Sequence, residues 1–446
     1  MGRSSVVRSF FLSVQAMASS LLEPSLAAIA LVILLASVSL SRKKRPAAPE
    51  PQGLSVLGNL FDIPKRASSI IYLALGKPYN TLTKRAVSQL QGYTPGSHID
   101  ATSHSPRVFR LPNLEETFSV FPDHGLNPNY TSARTDSRAW INQYTKVVCG
   151  PKMVAFMNNC EFELSNSHCY PYAGYKGLKA TMDLTNILWL YDEYTDTGSG
   201  AEAVKAAGIV ARALREPDYD DGTWVCRMMK SFKQNHIDKA GPGVARRFID
   251  NFCNYVEVVG REAELREKNE VLDIPNYVTF RRETSAVRTC FDLVEYCLDL
   301  DLPQYVHDDP VFISGYNAGM DLVFWANDLV SYNMEQSKGH SGANVVTVIM
   351  KSKGVDLQTA VDFLGGYCEA LTAQLLEAKR ILQARSDAAY SRDVVRLMDA
   401  FGDWVRGNVA WSFETERYFG KENKRVKETL LVELKEPFVG ALALKE

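Results

Sequence analysis

The sequence predicts an all-α protein whose main body is a single helical bundle, and three observations predict it. From about residue 200 onward, apolar residues recur at threes and fours, the spacing that lines one face of a helix. No run alternates apolar with polar residues as a half-buried strand would, and nothing repeats at a fixed period. The chain has 446 residues, 46% of them apolar, which is enough to bury a large core and too apolar for disorder. Its 50 lysines and arginines nearly balance 52 aspartates and glutamates, so the electrostatic footprint of a nucleic-acid binder is missing. Eight cysteines without a CxxC pair argue against zinc ribbons, disulfide scaffolds and thioredoxin-type chemistry, and for a reduced, intracellular protein.

The first element is different material. Residues 24–41, PSLAAIALVILLASVSLS, form an uncharged stretch of eighteen, the lower edge of what spans a bilayer. Arg42, Lys43, Lys44 and Arg45 follow at once, which by the positive-inside rule places the rest of the chain in the cytosol. A cleaved signal peptide fits less well, since its apolar region is normally shorter and its basic residues come before it. A buried core helix is the other reading. If the segment is not an anchor, the expected location is the cytoplasm.

Residues 46–64, PAAPEPQGLSVLGNLFDIP, form a proline-rich and then turn-rich hinge. Anchor, basic stop, hinge and the GLxVLGNLFDIP stretch together resemble the leader of a microsomal haem-thiolate monooxygenase of fungi. That family needs a cysteine in an FxxGxxxC loop, and no cysteine here sits in one, so residues 1–65 read as a leader foreign to the body. Residues 66–106 are low in pattern and are assigned as a linker. The body is expected at 107–446, with helices over 200–215, 223–236, 244–268, 276–300, 311–335, 357–383 and 391–419. Breakers such as Glu216-Pro217 and the AGPG of 240–243 separate them.

Four groups of residues carry chemistry. The apolar run LTNILWLY leads into Asp192 and Asp196, four apart and so on one helix face. Two carboxylates in a helix's last turn oppose its dipole by some tenths of a kcal/mol, which a cation would offset. Hard oxygen ligands suit Mg²⁺, above all with a phosphate completing the octahedron. A solvated acidic helix end is the plain alternative. Asn327, Ser331 and Glu335 stand at offsets of 0, 4 and 8, an arc of about 80° at roughly 100° per residue. They form one stripe of oxygen ligands, or an ordinary polar helix face. Arg417-Tyr418, near the end of the last long helix, are suited to gripping phosphate oxygens. Arg281-Arg282, in a mostly apolar helix, need anions or solvent.

In this order DExxD, RRxTS, NDxxSxxxE and RY resemble the class I sesquiterpene synthases of mushroom-forming fungi, over about residues 109–419. The resemblance implies a helical bundle around an apolar cavity, three Mg²⁺ ions and farnesyl diphosphate as substrate. Carried over residue by residue, Asp192 and Asp196 are metal ligands of the first motif, and Asn327, Ser331 and Glu335 of the second. Arg417 and Tyr418 match the diphosphate-binding pair, and Arg282, in preference to Arg281, the diphosphate sensor. Such enzymes stabilise a departing diphosphate and shelter a carbocation from water in a closed apolar cavity. Trp189, Phe324, Trp325 and Trp411 are candidates to face that cation, with ordinary core packing as the rival for each. No side chain is assigned as a general acid or base.

Two positions depart from the family: Ala286 where glycine is common, and Met334 where a basic residue is common, with Lys338 as its substitute. Residues 218–221 spell DxDD, the acid motif of protonation-initiated cyclases, but between Pro217 and Gly222 they read as a solvated turn. The rivals are a prenyl chain-elongating transferase, which would show a second aspartate-rich motif, and a membrane-tethered helical protein with a decayed site. NDLVSYNMEQ and HGLNPNY resemble the branch that closes carbons 1 and 11, with Δ6-protoilludene as the expected product.

Overall fold

The computed structural model describes residues 108–197, 200–268, 270–385 and 388–436. The expected anchor at 24–41, the hinge and the linker at 66–106 lie outside them. Among the described residues no helix is long and apolar enough to cross a membrane.

A short strand, β1 (Val108–Arg110), and one helical turn, α1 (Leu114–Thr117), lead into α2 (Tyr130–Val148), α3 (Pro151–Cys160), α4 (Phe162–Cys169) and α5 (Tyr175–Thr197). Next come α6 (Gly200–Arg215), α7 (Trp224–Asn235), α8 (Pro242–Glu267), α9 (Ile274–Thr284), α10 (Val287–Cys297) and the turn α11 (Gln304–His307). The longest helix, α12 (Pro310–Lys338), is followed by α13 (Val345–Lys353), α14 (Leu357–Gln383), α15 (Ala388–Glu414), α16 (Asn423–Thr429) and β2 (Leu431–Glu433). Helix starts follow local chemistry: Thr223, Asp273, Asp309, Asn344 and Asp356 each accept a backbone N–H that the first turn leaves unpaired.

Helix α12 is the centre of the bundle. From Phe312 to Asn333 it is buried on nearly every side, and α14 and α15 form its main neighbours. Gly315 permits that approach: a Cβ there would meet the Ala378 methyl at 2.9 Å and the Met398 sulfur at 3.0 Å.

Two expectations are corrected. The body is not purely helical, because β1 and β2 pair antiparallel, Val108 with Glu433 and Arg110 with Leu431. The Asn333 amide extends this tie to α12, donating to the Glu433 carbonyl at 2.8 Å and accepting from the Lys435 N–H at 2.8 Å. The helix expected over 276–300 is broken into α9 and α10 at Ala286, whose φ of 59° is left-handed. An L-residue there costs about 1–2 kcal/mol. The Thr289 hydroxyl holds the break by donating to the Ala286 carbonyl at 2.7 Å.

Candidate active site

Helices α5, α9, α10, α12 and α15 enclose a cavity of about 250 Å³. Its polar end gathers most of the singled-out residues: Asp192 from α5, Asn327, Ser331 and Glu335 from α12, and Arg417 and Tyr418 from the turn after α15. Apolar and aromatic side chains line it as well, Leu188 and Trp189 of α5, Val287 of α10, Val323 and Phe324 of α12, and Trp404 and Trp411 of α15, interspersed with polar ones such as Glu193, Glu262 and Thr284. Asp196 lies in the last turn of α5, and its side chain is outside the described residues.

The α12 stripe brings an amide, a hydroxyl and a carboxyl to one wall of the cavity. Asn327 Nδ2 donates to the Tyr418 hydroxyl at 2.8 Å, while its Oδ1 accepts from Arg281 Nη2 at 3.3 Å. Ser331 Oγ is buried and completes no hydrogen bond of good geometry, although Glu335 lies close enough to feel it. Burial, and then the Asp328 carboxylate, push the Glu335 carboxyl above its ordinary range, against the pull of Asn344 and Arg281. An amide oxygen, an orphaned hydroxyl and a carboxylate in a desolvated setting fit a hard divalent cation such as Mg²⁺.

The two neighbouring arginines exchange the places expected of them. Arg281 faces the cavity and Arg282 is not among its lining residues. One residue turns a helix by about 100°, and here that rotation sends Arg282 onto Asp321 of α12, with bonds of 2.7 and 2.6 Å. Asp321 is buried, and a buried carboxylate needs such a partner. Arg281 binds Asp328 Oδ1 through Nε at 3.2 Å and Nη2 at 2.9 Å. Of the aromatic candidates, Trp189, Phe324 and Trp411 line the cavity, whereas Trp325 packs against Tyr277, with ring centroids 6.1 Å apart. Lys338 and Met334 also reach the cavity. The DxDD segment sits in an exposed turn, where Asp220 and Asp221 accept the Gly222 and Thr223 N–H groups.

Sequence reasoning missed two supporting residues. Asp328, fully buried, accepts from the Tyr277 hydroxyl at 2.6 Å and the Val345 N–H at 3.0 Å as well as from Arg281. It therefore ties α9 and α13 to the stripe of Asn327, Ser331 and Glu335. Asn344 caps α13 through Oδ1, while its Nδ2 donates to Glu335 Oε2 at 3.0 Å and to the Asp328 carbonyl at 2.8 Å. An asparagine directly before the apolar run VVTVIM was the available signal for the cap, though not for the bond to Glu335. Asn408, on the α15 face between Trp404 and Trp411, is a polar lining residue that was also missed; its Nδ2 donates to the Val323 carbonyl at 3.3 Å.

This bundle, with its motifs on facing helices around one cavity, has the fold of the class I terpene synthases. The solved structure of hedycaryol synthase superimposes with a TM-score of 0.58 at 20% identity, covering 71% of this chain and 98% of that one. Residues 183–374 match the signature described as Terpene synthase family 2, C-terminal metal binding. A sesquiterpene synthase of Sphaerobolus stellatus is 68% identical over 340 residues, 76% of this chain and 98% of its own. The viridiflorene synthase of Cyclocybe aegerita is 52% identical over 75% of this chain and 88% of its own. The Δ6-protoilludene synthase of Stereum hirsutum is more distant, 33% identical over 71% and 86%. The chain belongs to the fungal sesquiterpene synthase family.

Proposed function

We propose that this protein is a sesquiterpene cyclase that ionises farnesyl diphosphate and cyclises the resulting carbocation. The observation that carries this reading is the convergence of Asp192 and the Asn327, Ser331 and Glu335 stripe on one cavity that Phe324, Trp404 and Trp411 also line. Asp192, Asp196, Asn327, Ser331 and Glu335 would hold the three Mg²⁺ ions, which neutralise the departing diphosphate. Arg417 and Tyr418 grip its oxygens, and Arg281, facing the cavity, takes the sensor role in place of Arg282. Trp411, Trp404 and Phe324 exclude water and present ring faces to a cation.

For the product, the sequence pattern favours 1,11 closure and Δ6-protoilludene, while the 52% identical relative is named for viridiflorene. Incubation of the full chain with farnesyl diphosphate and Mg²⁺, followed by gas chromatography–mass spectrometry, separates the two. A chelator-sensitive sesquiterpene supports the cyclase, and no hydrocarbon from folded protein overturns it. The anchor at 24–41, with the body in the cytosol, is tested by carbonate extraction of membranes from cells expressing the full chain. Recovery wholly in the soluble fraction removes it.

A further inference from the structure

Asn127, Asn166, Asn333 and Asn344 are buried asparagines bonded at both ends of the amide, donating through Nδ2 and accepting through Oδ1. Asn408 on α15 is just as buried but is bonded at one end. Its Nδ2 donates to the Val323 carbonyl of α12 at 3.3 Å, while among the described residues nothing donates to its Oδ1. That partner fixes which amide atom is which, because a carbonyl can only accept. Trp404, Asn408 and Trp411 stand at offsets of 0, 4 and 7, so they share one helix face, and all three line the cavity. Trp411 directs its N–H to the carbonyls of Cys160 and Glu161, 3.1 Å from each. The amide thus sets one carbonyl oxygen, without a donor, on a cavity wall between two indoles. A buried acceptor left unmet works against the fold, and an arriving positive charge would offset that.

We propose that Asn408 is a specificity-determining residue: its amide oxygen, held by the bond to Val323, faces the carbocation and favours positive charge at the carbon nearest to it. A dipole fixed before the reaction needs no reorientation, and where water is excluded it acts more strongly. Ring faces attract a cation over a broad area, whereas one oxygen marks a single position. The oxygen thereby biases which cation persists long enough to lose its proton, and with it the product. The inference rests on the reading of this cavity as a cyclase site.

The test compares the full chain with Asn408→Leu and Asn408→Asp on farnesyl diphosphate and Mg²⁺, in water labelled with heavy oxygen. Products are read by gas chromatography–mass spectrometry, inorganic diphosphate binding by calorimetry, and stability by melting temperature. Asn408→Leu keeps the size of the side chain and removes its dipole. It should lower the ratio of the main product to by-products by about tenfold, the scale of one hydrogen-bonding group facing a charge. Asn408→Asp, which burial keeps protonated, retains the shape, the donor to Val323 and the carbonyl oxygen, and should keep the parent's profile. Diphosphate binding should not move in either; a weakened diphosphate would put Asn408 at the anion instead and overturn the proposal. An unchanged profile in the leucine variant would leave Asn408 a tie between α12 and α15, and would overturn it too. Equal changes in both variants would do the same, since shape and not the oxygen would then decide. So would a labelled alcohol lost only in the leucine variant, because the amide would be holding a water. Asn408→Ala gives the product reading if the leucine variant does not fold. The parent reading fails separately, if the unaltered chain yields no chelator-sensitive hydrocarbon; a productive parent with an unmoved leucine variant sinks this inference alone.

Discussion

Two parts of the molecule set arginines beside the candidate metal site, and they hold them by opposite means. On α9, Arg281 and Arg282 each bring a countercharge: Asp328 and Asp321, both buried on α12. After α15, Arg417 rests on rings and a thiol. An arginine bound to a buried carboxylate is wiring between helices, and removing either partner leaves the other stranded. An arginine bound to a ring keeps its charge available for an incoming anion. Stability and anion binding should therefore respond in opposite order to substitutions in the two regions.

The largest expected effect is on folding. Asp321→Asn strands the Arg282 guanidinium and should cost about 3–5 kcal/mol in urea unfolding. Diphosphate binding per folded molecule should hardly change. An unmoved unfolding midpoint would show that solvent already satisfies Arg282. Arg417→Ala should reverse the pattern, lowering kcat/KM by about 10²–10³, the loss typical of one donor to a developing anion, with little change in midpoint. Equal losses of stability in both variants would erase the contrast.

A smaller effect sharpens it. Asn344 is no expected ligand itself but bonds and orients Glu335, so Asn344→Ala should raise the Mg²⁺ concentration needed for half-maximal activity by about 10–100-fold. If that concentration stays put while only the melting temperature falls, Asn344 is a helix cap and nothing more. The smallest effect concerns a carboxyl that no arginine claims. Asp292 accepts from Asn251 at 2.8 Å, while Arg247 pairs with Glu295 and Arg288 with Glu283. Burial pushes Asp292 up to about 7. A raised carboxyl favours the folded state fully below about pH 4 and loses that advantage as pH climbs to about 7. The midpoint of Asp292→Asn relative to the parent should accordingly rise between those limits, and a flat difference would refute the shift.

Much of this was legible in the residues. The long helices fall within a few residues of their expected places, 311–335 against Pro310–Lys338 and 357–383 against Leu357–Gln383, because a buried face imposes its period on the sequence. The Asn327, Ser331 and Glu335 spacing placed all three on one wall for the same reason. What was not legible depends on distant partners. The break at Ala286 carries neither glycine nor proline, so only the packed structure reveals it. Which of Arg281 and Arg282 faces the cavity is a matter of about 100° of rotation on one helix, and is decided by where Asp321 and Asp328 lie. The β1–β2 pair joins three-residue segments more than 300 positions apart, too short to show an alternating pattern.

That last pairing sets an order of events during synthesis. The amide of Asn333, which lies between Ser331 and Glu335, is bonded to the backbone of Glu433 and Lys435, a hundred residues later in the chain. A ribosome finishes α12 long before it makes this tie. Until residues 433–435 emerge, the wall that carries Asn327, Ser331 and Glu335 lacks one of its fastenings, and β1 waits through the synthesis of the entire bundle for a partner. Completion of the site therefore waits for a segment made a hundred residues after α12, however early its helices form.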